Sequence, residues 1–294
     1  MGDHDRVHLD VALELDGEAI RGTVTDGVSP AREFTGWLEL MSAFEVARAK
    51  GPDMPIAEER APSPPRALRE VKLYTFPGSN AGRTVELMLA HKAIAHETVI
   101  TPRGRHLFLL PAHGFRGITV PAMAIDGRRV QRTREISRAL DDVAPEPPLF
   151  PADPARRAVV EDAERWGEGL QNAVRRLTYC ATRRTRGSVL GTFGSIRHLA
   201  SDDAARRDAV ALPERLAQID AWIAAGVLDS DELNAADFQI APNVAILLTF
   251  ADFAPHIVDH PAAAHARRVA GEGTHHRGPV FPDEWLRPLQ GART

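Results

Sequence analysis

The chain has 294 residues, 44% of them hydrophobic, with 36 basic and 40 acidic side chains and a net charge of -4. That length exceeds one ordinary compact core and suits two domains with an appendage. Acidic and basic residues are interspersed and nothing points to a phosphate-tracking surface, so nucleic acid is not an expected partner. Cys180 is the single cysteine and excludes an internal disulfide; with a start that lacks the basic-then-apolar pattern of a secretion signal, this points to the cytoplasm. The longest apolar stretch, 241–258, is broken by Pro242, Asn243, Asp252 and His256, short of the roughly 20 unbroken apolar residues a membrane span needs. Only Lys50, Lys72 and Lys92 are lysines, which with the Ala-rich helical stretches points to a GC-rich bacterial genome.

Val7, Leu9, Val11, Leu13 and Leu15 alternate with polar or small residues, the period of a half-buried strand, and Asp16-Gly17 marks a turn. A second strand is expected over 19–25 and a third over 32–37, followed by a helix through Leu38, Met41 and Phe44. Residues 1–50 thus read as a small β-β-β-α module. Residues 51–69 hold Pro52, Pro55, Pro62, Pro64 and Pro65 amid charges and read as a linker. Next come a buried strand at 71–76, a turn at Pro77-Gly78-Ser79-Asn80, an amphipathic helix over 82–92 and a strand near 96–101. A connection over 102–117 carries His106 and His113, read as loop histidines. A strand at 119–125 turns at Asp126-Gly127 into 128–130, and a helix covers 133–140. Beyond Pro154 the pattern is helical: 155–177, 192–199, 204–225 and 235–253. An α/β half over 70–145 followed by an α half over 154–294 is the expected architecture.

Three segments resemble the glutathione transferase superfamily, at matching order and spacing. The first is Leu73-Tyr74-x-x-Pro77-x-Ser79-Asn80-x-x-Arg83-x-Val85, the second Gly117-Ile118-Thr119-Val120-Pro121-Ala122, the third Asn234-Ala235-Ala236-Asp237-Phe238. The resemblance implies a thioredoxin-like α/β domain followed by an all-helical glutathione-transferase C-terminal domain, preceded here by the small β-rich module. It implies Ser79 as the group whose hydroxyl supports a thiolate, with Asn80 beside it as a cofactor contact, Val120 pairing with the cysteinyl part of a thiol peptide before a cis Pro121, and Arg132-Thr133 holding the γ-glutamyl end. A hydroxyl at a helix N-terminus suits an anion, because free N–H groups and the helix dipole both favour negative charge there; Ser79 or Asn80 equally suits a helix cap, and the two roles are compatible. Asn234 and Asp237 read as a capping box, a folding signal.

The chain departs from the family at Arg132, a fixed cation where an acceptor for the ligand ammonium is expected, with Gln131 as a substitute acceptor. The resemblance therefore implies glutathione or another low-molecular-weight thiol as cofactor, an electrophile as second substrate, and a homodimer, with a non-catalytic binding or assembly module as the alternative. Cys180 reads as an inert helix residue, and His275-His276 lacks partners at metal-ligand spacing, so no metal is expected.

Overall fold

The computed structural model describes residues 10–16, 19–25, 31–35, 68, 70–101, 106–186, 201–273 and 276–291. They fall into two compact units, one containing the first three strands and the other everything from Leu68 onward. In the first, β1 (Asp10–Asp16), β2 (Ala19–Thr25) and β3 (Arg32–Thr35) form an antiparallel sheet in the order β1-β2-β3. Leu15 stands opposite Ile20 and Asp16 opposite Ala19, the register of a hairpin. The helix expected after Trp37 lies outside the described residues, as do the linker expected over 51–69, apart from Leu68, and the helix expected at 192–199.

The second unit opens on a four-stranded mixed sheet in the order β5-β4-β6-β7. Its strands are β4 (Val71–Thr75), β5 (Glu97–Ile100), β6 (Ala122–Ile125) and β7 (Arg128–Gln131). β4 runs parallel to β5 through a crossover containing α1 (Asn80–His91), and antiparallel to β6. The connection from β5 to β6 holds a short helix, α2 (His106–Ala112), where a loop was expected. Its run Leu107-Phe108-Leu109-Leu110 has no helical period and Pro111 sits inside it, so nothing in the residue pattern marks a helix there. α3 (Thr133–Val143) follows the β6–β7 hairpin.

The helical half comprises α4 (Pro154–Arg186), α5 (Asp202–Val210), α6 (Leu212–Ala224), α7 (Ala235–Leu247), α8 (Ala254–Ile257), α9 (Pro261–Ala270) and α10 (Asp283–Gly291). α4 runs on to Arg186, past its expected end at Leu177. The single helix expected over 204–225 is two helices, because Pro213 opens a new first turn after Ala211. α7 is buried all round, at its centre Ile240, Ala241 and Val244, with no polar face for periodicity to reveal. One continuous apolar core joins both halves: Leu73, Met88, Met123, Ile136 and Leu140 on the α/β side meet Leu170, Val174, Leu177 and Phe238 on the helical side.

Polar side chains brace the same junction. Ser137 Oγ of α3 donates to Glu164 Oε1 of α4 at 2.7 Å and Arg138 donates to the other oxygen of that buried carboxylate. Burial pushes the Glu164 carboxyl up, against the pull of Ser137, Arg138 and Arg134. Lys92, buried at the end of α1, gives its ammonium to Asp141 Oδ1 (2.9 Å) and to the carbonyls of Ala144 (2.6 Å) and Pro147 (2.8 Å). Among the described residues no helix is long and apolar enough to cross a membrane.

Candidate functional site

Strand register gathers the expected site residues at one end of the sheet. Tyr74 pairs with Ala122, so the turn leaving β4 and the Val120–Pro121 peptide entering β6 share that end. The Val120–Pro121 bond is cis, and Arg132 N donates to Pro121 O at 3.3 Å, which puts the first turn of α3 against the same peptide. Ser79, Val120, Pro121, Arg132 and Thr133 therefore lie together, 54 residues apart in the chain at their extremes (133 minus 79).

Ser79 occupies the N-cap of α1, extended at φ -74°, and its Oγ accepts from Gly82 N at 3.0 Å. One lone pair thus caps the helix, while the hydroxyl proton stays available to a further acceptor. Gly82 makes this placement feasible. A Cβ there would lie 2.1 Å from Thr75 Oγ1, so only glycine lets the first turn of α1 close onto the end of β4.

Asn80 acts differently from the ligand contact the resemblance implies. Its Nδ2 donates to Asn243 Oδ1 of α7 at 2.8 Å and to the Gln171 carbonyl of α4 at 3.3 Å, which uses both amide protons on the helical half. Asn243 in turn donates to Gln239 O, and Gln239 Nε2 donates to Gln171 Oε1 at 2.9 Å. The residue after Ser79 is thus a polar tie between the two halves.

Thr133 is buried at the first position of α3. Arg132 before it sits at φ 69°, ψ 145°, a backbone region that costs a non-glycine residue about 1–3 kcal/mol. Its guanidinium is 71% exposed and 4.0 Å from Glu135. Gln131 is not an acceptor in reserve: its Oε1 accepts from Gly117 N at 2.7 Å, and its Nε2 donates to the carbonyls of Gly117 (3.0 Å) and Thr119 (3.2 Å). It pins the loop that leads into Val120.

α4 carries the stripe Glu168, Asn172, Arg175, Tyr179, spaced at four, three and four residues along one helix face; its Gln171 carbonyl accepts from Asn80, and Glu168 lies 4.0 Å from Arg134 of α3. Arg175 is half-buried; its Nη2 donates to Asn172 Oδ1 at 2.7 Å, and its Nε is sealed from solvent with no partner. Sequence reasoning passes over this residue, because Arg175-Arg176 looks like any charged helical pair. Cys180, further along α4, is buried, its thiol pushed up by burial and by Asp202 at 3.2 Å, the opposite of what a nucleophile needs.

A separate cavity of about 460 Å³ lies elsewhere, between the end of α1 and the loop before α7, with His91, Phe150, Val160 and Asn234 in its lining. Among the described residues no cluster of three or more His, Cys, Asp or Glu side chains is placed to hold a metal.

Residues 73–148 match the family model described as glutathione S-transferase, N-terminal domain. No curated protein matches the chain. Among solved structures, FzlA from C. crescentus is 20% identical with a TM-score of 0.55, covering 76% of this chain and 92% of its own. A glutathione S-transferase domain-containing protein from Marinobacter aquaeolei is 25% identical with a TM-score of 0.54, covering 68% and 97%. A glutathione S-transferase from Methylobacterium radiotolerans, solved in complex with glutathione sulfonate, is 19% identical with a TM-score of 0.52, covering 72% and 100%.

Proposed function

We infer that this chain, a member of the glutathione S-transferase superfamily, is a thiol-dependent transferase whose Ser79 hydroxyl supports the thiolate of glutathione or another low-molecular-weight thiol. The observation that carries this reading is the position of Ser79. Its oxygen already caps α1 through Gly82 N, so it stands among the free N–H groups of a helix start, at the sheet end that also holds the cis Val120–Pro121 peptide. A donated hydrogen bond and the helix dipole both favour the thiolate over the thiol. Lowering a thiol pKa by two units needs only about 2.7 kcal/mol of differential stabilisation.

Val120 offers its backbone to the cysteinyl part of the thiol, and Thr133 offers a hydroxyl and the N–H groups of the α3 start to a carboxylate. Arg132 replaces the acceptor that a ligand ammonium would need, so the thiol best suited to this end is one whose anionic charge is not offset by an ammonium. The thiolate then attacks an electrophile lying against α4. The chain acts as a homodimer in the cytoplasm, as the resemblance implies.

Thermal unfolding in millimolar glutathione and other bacterial thiols tests the cofactor, because a ligand at 100 times its dissociation constant adds about 2.7 kcal/mol. Ser79→Ala should lower kcat for conjugation about 100-fold, while Ser79→Thr should retain much of it. A thiol that stabilises the chain without any conjugation, or a Ser79→Ala variant of full activity, removes the catalytic role. The exposed cation at Arg132 favours a second reading, a non-catalytic binding module. If no thiol stabilises the wild type but one does stabilise Arg132→Gln, that reading stands.

A further inference from the structure

We propose that Arg175 binds a carboxylate on the electrophile, and so sets the chain's preference for anionic second substrates. The proposal rests on the transferase reading for its chemistry, though not for the binding itself.

Placement comes first. The Gln171 carbonyl that accepts from Asn80 Nδ2 is, in an α-helix, the same carbonyl that receives the N–H of the residue four further on, which is Arg175. The Arg175 backbone is therefore one shared oxygen away from the side chain that follows Ser79. Helical side chains lean back toward the N-terminus, and the 2.7 Å contact of Nη2 with Asn172 Oδ1 follows that direction. The guanidinium thus lies along the wall of α4 beside the N-terminus of α1.

Charge is the second observation. The neighbouring arginines have carboxylate partners: Arg176 grips Asp208 with two bonds of 2.6 and 2.9 Å, and Arg138 holds Glu164. Arg134, whose Nε also lacks a hydrogen bond, still sits 3.7 Å from Glu164. Arg175 has a neutral amide for its one hydrogen bond, and among the described residues no carboxylate lies within ion-pair distance of it. Glu168, on the same stripe, is turned to Arg134 at 4.0 Å. Burial, with a smaller push from Arg176, moves the Arg175 guanidinium down from its ordinary value, against the more distant pull of Tyr179 and Glu168. A half-buried cation with no carboxylate in direct contact is costly to a fold, and a planar fork with an idle Nε–H is suited to a carboxylate.

The reaction balances without a further reactant. The thiol loses its proton to solvent, the thiolate sulfur forms a C–S bond at the carbon bearing a halide, and the halide leaves with the C–halogen electron pair. Arg175 takes no part in those bonds and holds the carboxylate end.

The test compares chlorodinitrobenzene with chlorodinitrobenzoate, matched except for the ring carboxylate, using the full chain and glutathione, together with calorimetry of the unreactive dinitrobenzoate. Wild type should favour the benzoate by about tenfold in kcat/KM, the worth of one charge-assisted contact. Arg175→Gln should abolish that preference through the KM of the benzoate, Arg175→Lys should keep part of it, and Asn172→Asp should weaken it by supplying an internal counter-ion without loss of packing. A wild-type ratio near one overturns the proposal, as does an equal loss for both electrophiles. A rise in the KM for glutathione with both electrophiles assigns Arg175 to the thiol and overturns it too. If neither electrophile reacts, the transferase reading fails by itself, and calorimetry decides the rest. Dinitrobenzoate binding weakened about tenfold by both Arg175→Gln and Asn172→Asp upholds the anion site, and binding that the variants leave unchanged overturns it.

Discussion

At the scale of single residues, close approach decides where Ser79 stands. Thr75 is buried and β-branched, so its Oγ1 cannot retreat from a Cβ placed 2.1 Å away. Gly82→Ala gains about 1 kcal/mol of helix propensity but incurs an overpacking cost of about 1–3 kcal/mol. Net destabilisation is expected, read as a lower urea midpoint at unchanged slope. Asp237 is the other critical residue: its buried carboxylate accepts from Asn234 N (2.9 Å), Asp229 N (2.9 Å) and His265 Nε2 (2.8 Å). Asp237→Ala removes a cap and strands three buried donors, so a loss of about 3 kcal/mol is expected, visible as a drop in Tm. The capping box was legible because its two members lie three residues apart. The third partner, His265, was not, because it is 28 residues away. The same limit hid the role of Asn80, whose partner Asn243 is 163 residues distant, and that of Arg175, which differs from Arg176 only in lacking a carboxylate in space.

At the scale of elements, period and punctuation sorted what was readable. β4, α1, the β6–β7 hairpin and α3 follow their apolar patterns and the Asp126-Gly127 turn, with ends displaced by a few residues. α9 has punctuation of its own, Pro261 at the first helical position and Gly271 at φ 75° after the last, but its buried face is mostly alanine, which gives an apolar period little contrast. α2 has neither period nor punctuation. The junction of α1, α3 and α4 rests on Lys92, whose three contacts close the α3–α4 connection. Lys92→Met removes the cation and leaves Asp141 and two carbonyls without it. Asp141 keeps Leu149 N at 2.7 Å, so the expected loss is about 3 kcal/mol, measured by chemical unfolding, with protease sensitivity rising at 144–151.

At the scale of the whole molecule, the apolar core that joins both halves predicts one cooperative transition for residues 70–291. Far-ultraviolet dichroism and the fluorescence of Trp166 and Trp222, whose rings meet at 5.0 Å, should report the same urea midpoint; two midpoints would mean the halves unfold separately. Stability should also depend on acidity. Burial, then Lys92, lowers the His91 pKa from 6.5, against the pull of Asp237. The unfolded chain therefore takes up that proton first, so this contribution is full above about pH 6.5 and is lost as pH falls through that value toward the folded pKa. Glu164 acts with the opposite sign at lower pH, since its raised carboxyl takes up a proton first in the folded chain. His91→Asn should flatten the stability profile around pH 6 relative to wild type; parallel profiles would refute the assignment.

The amide of Asn80 gives the site a common reference frame. Because both of its protons are held by α4 and α7, the first turn of α1 is registered to the helical half as firmly as to its own sheet. A substitution that shifts α4 at Gln171 should therefore move the residue beside Ser79 as well, because the Gln171 carbonyl and the Asn80 amide are held together.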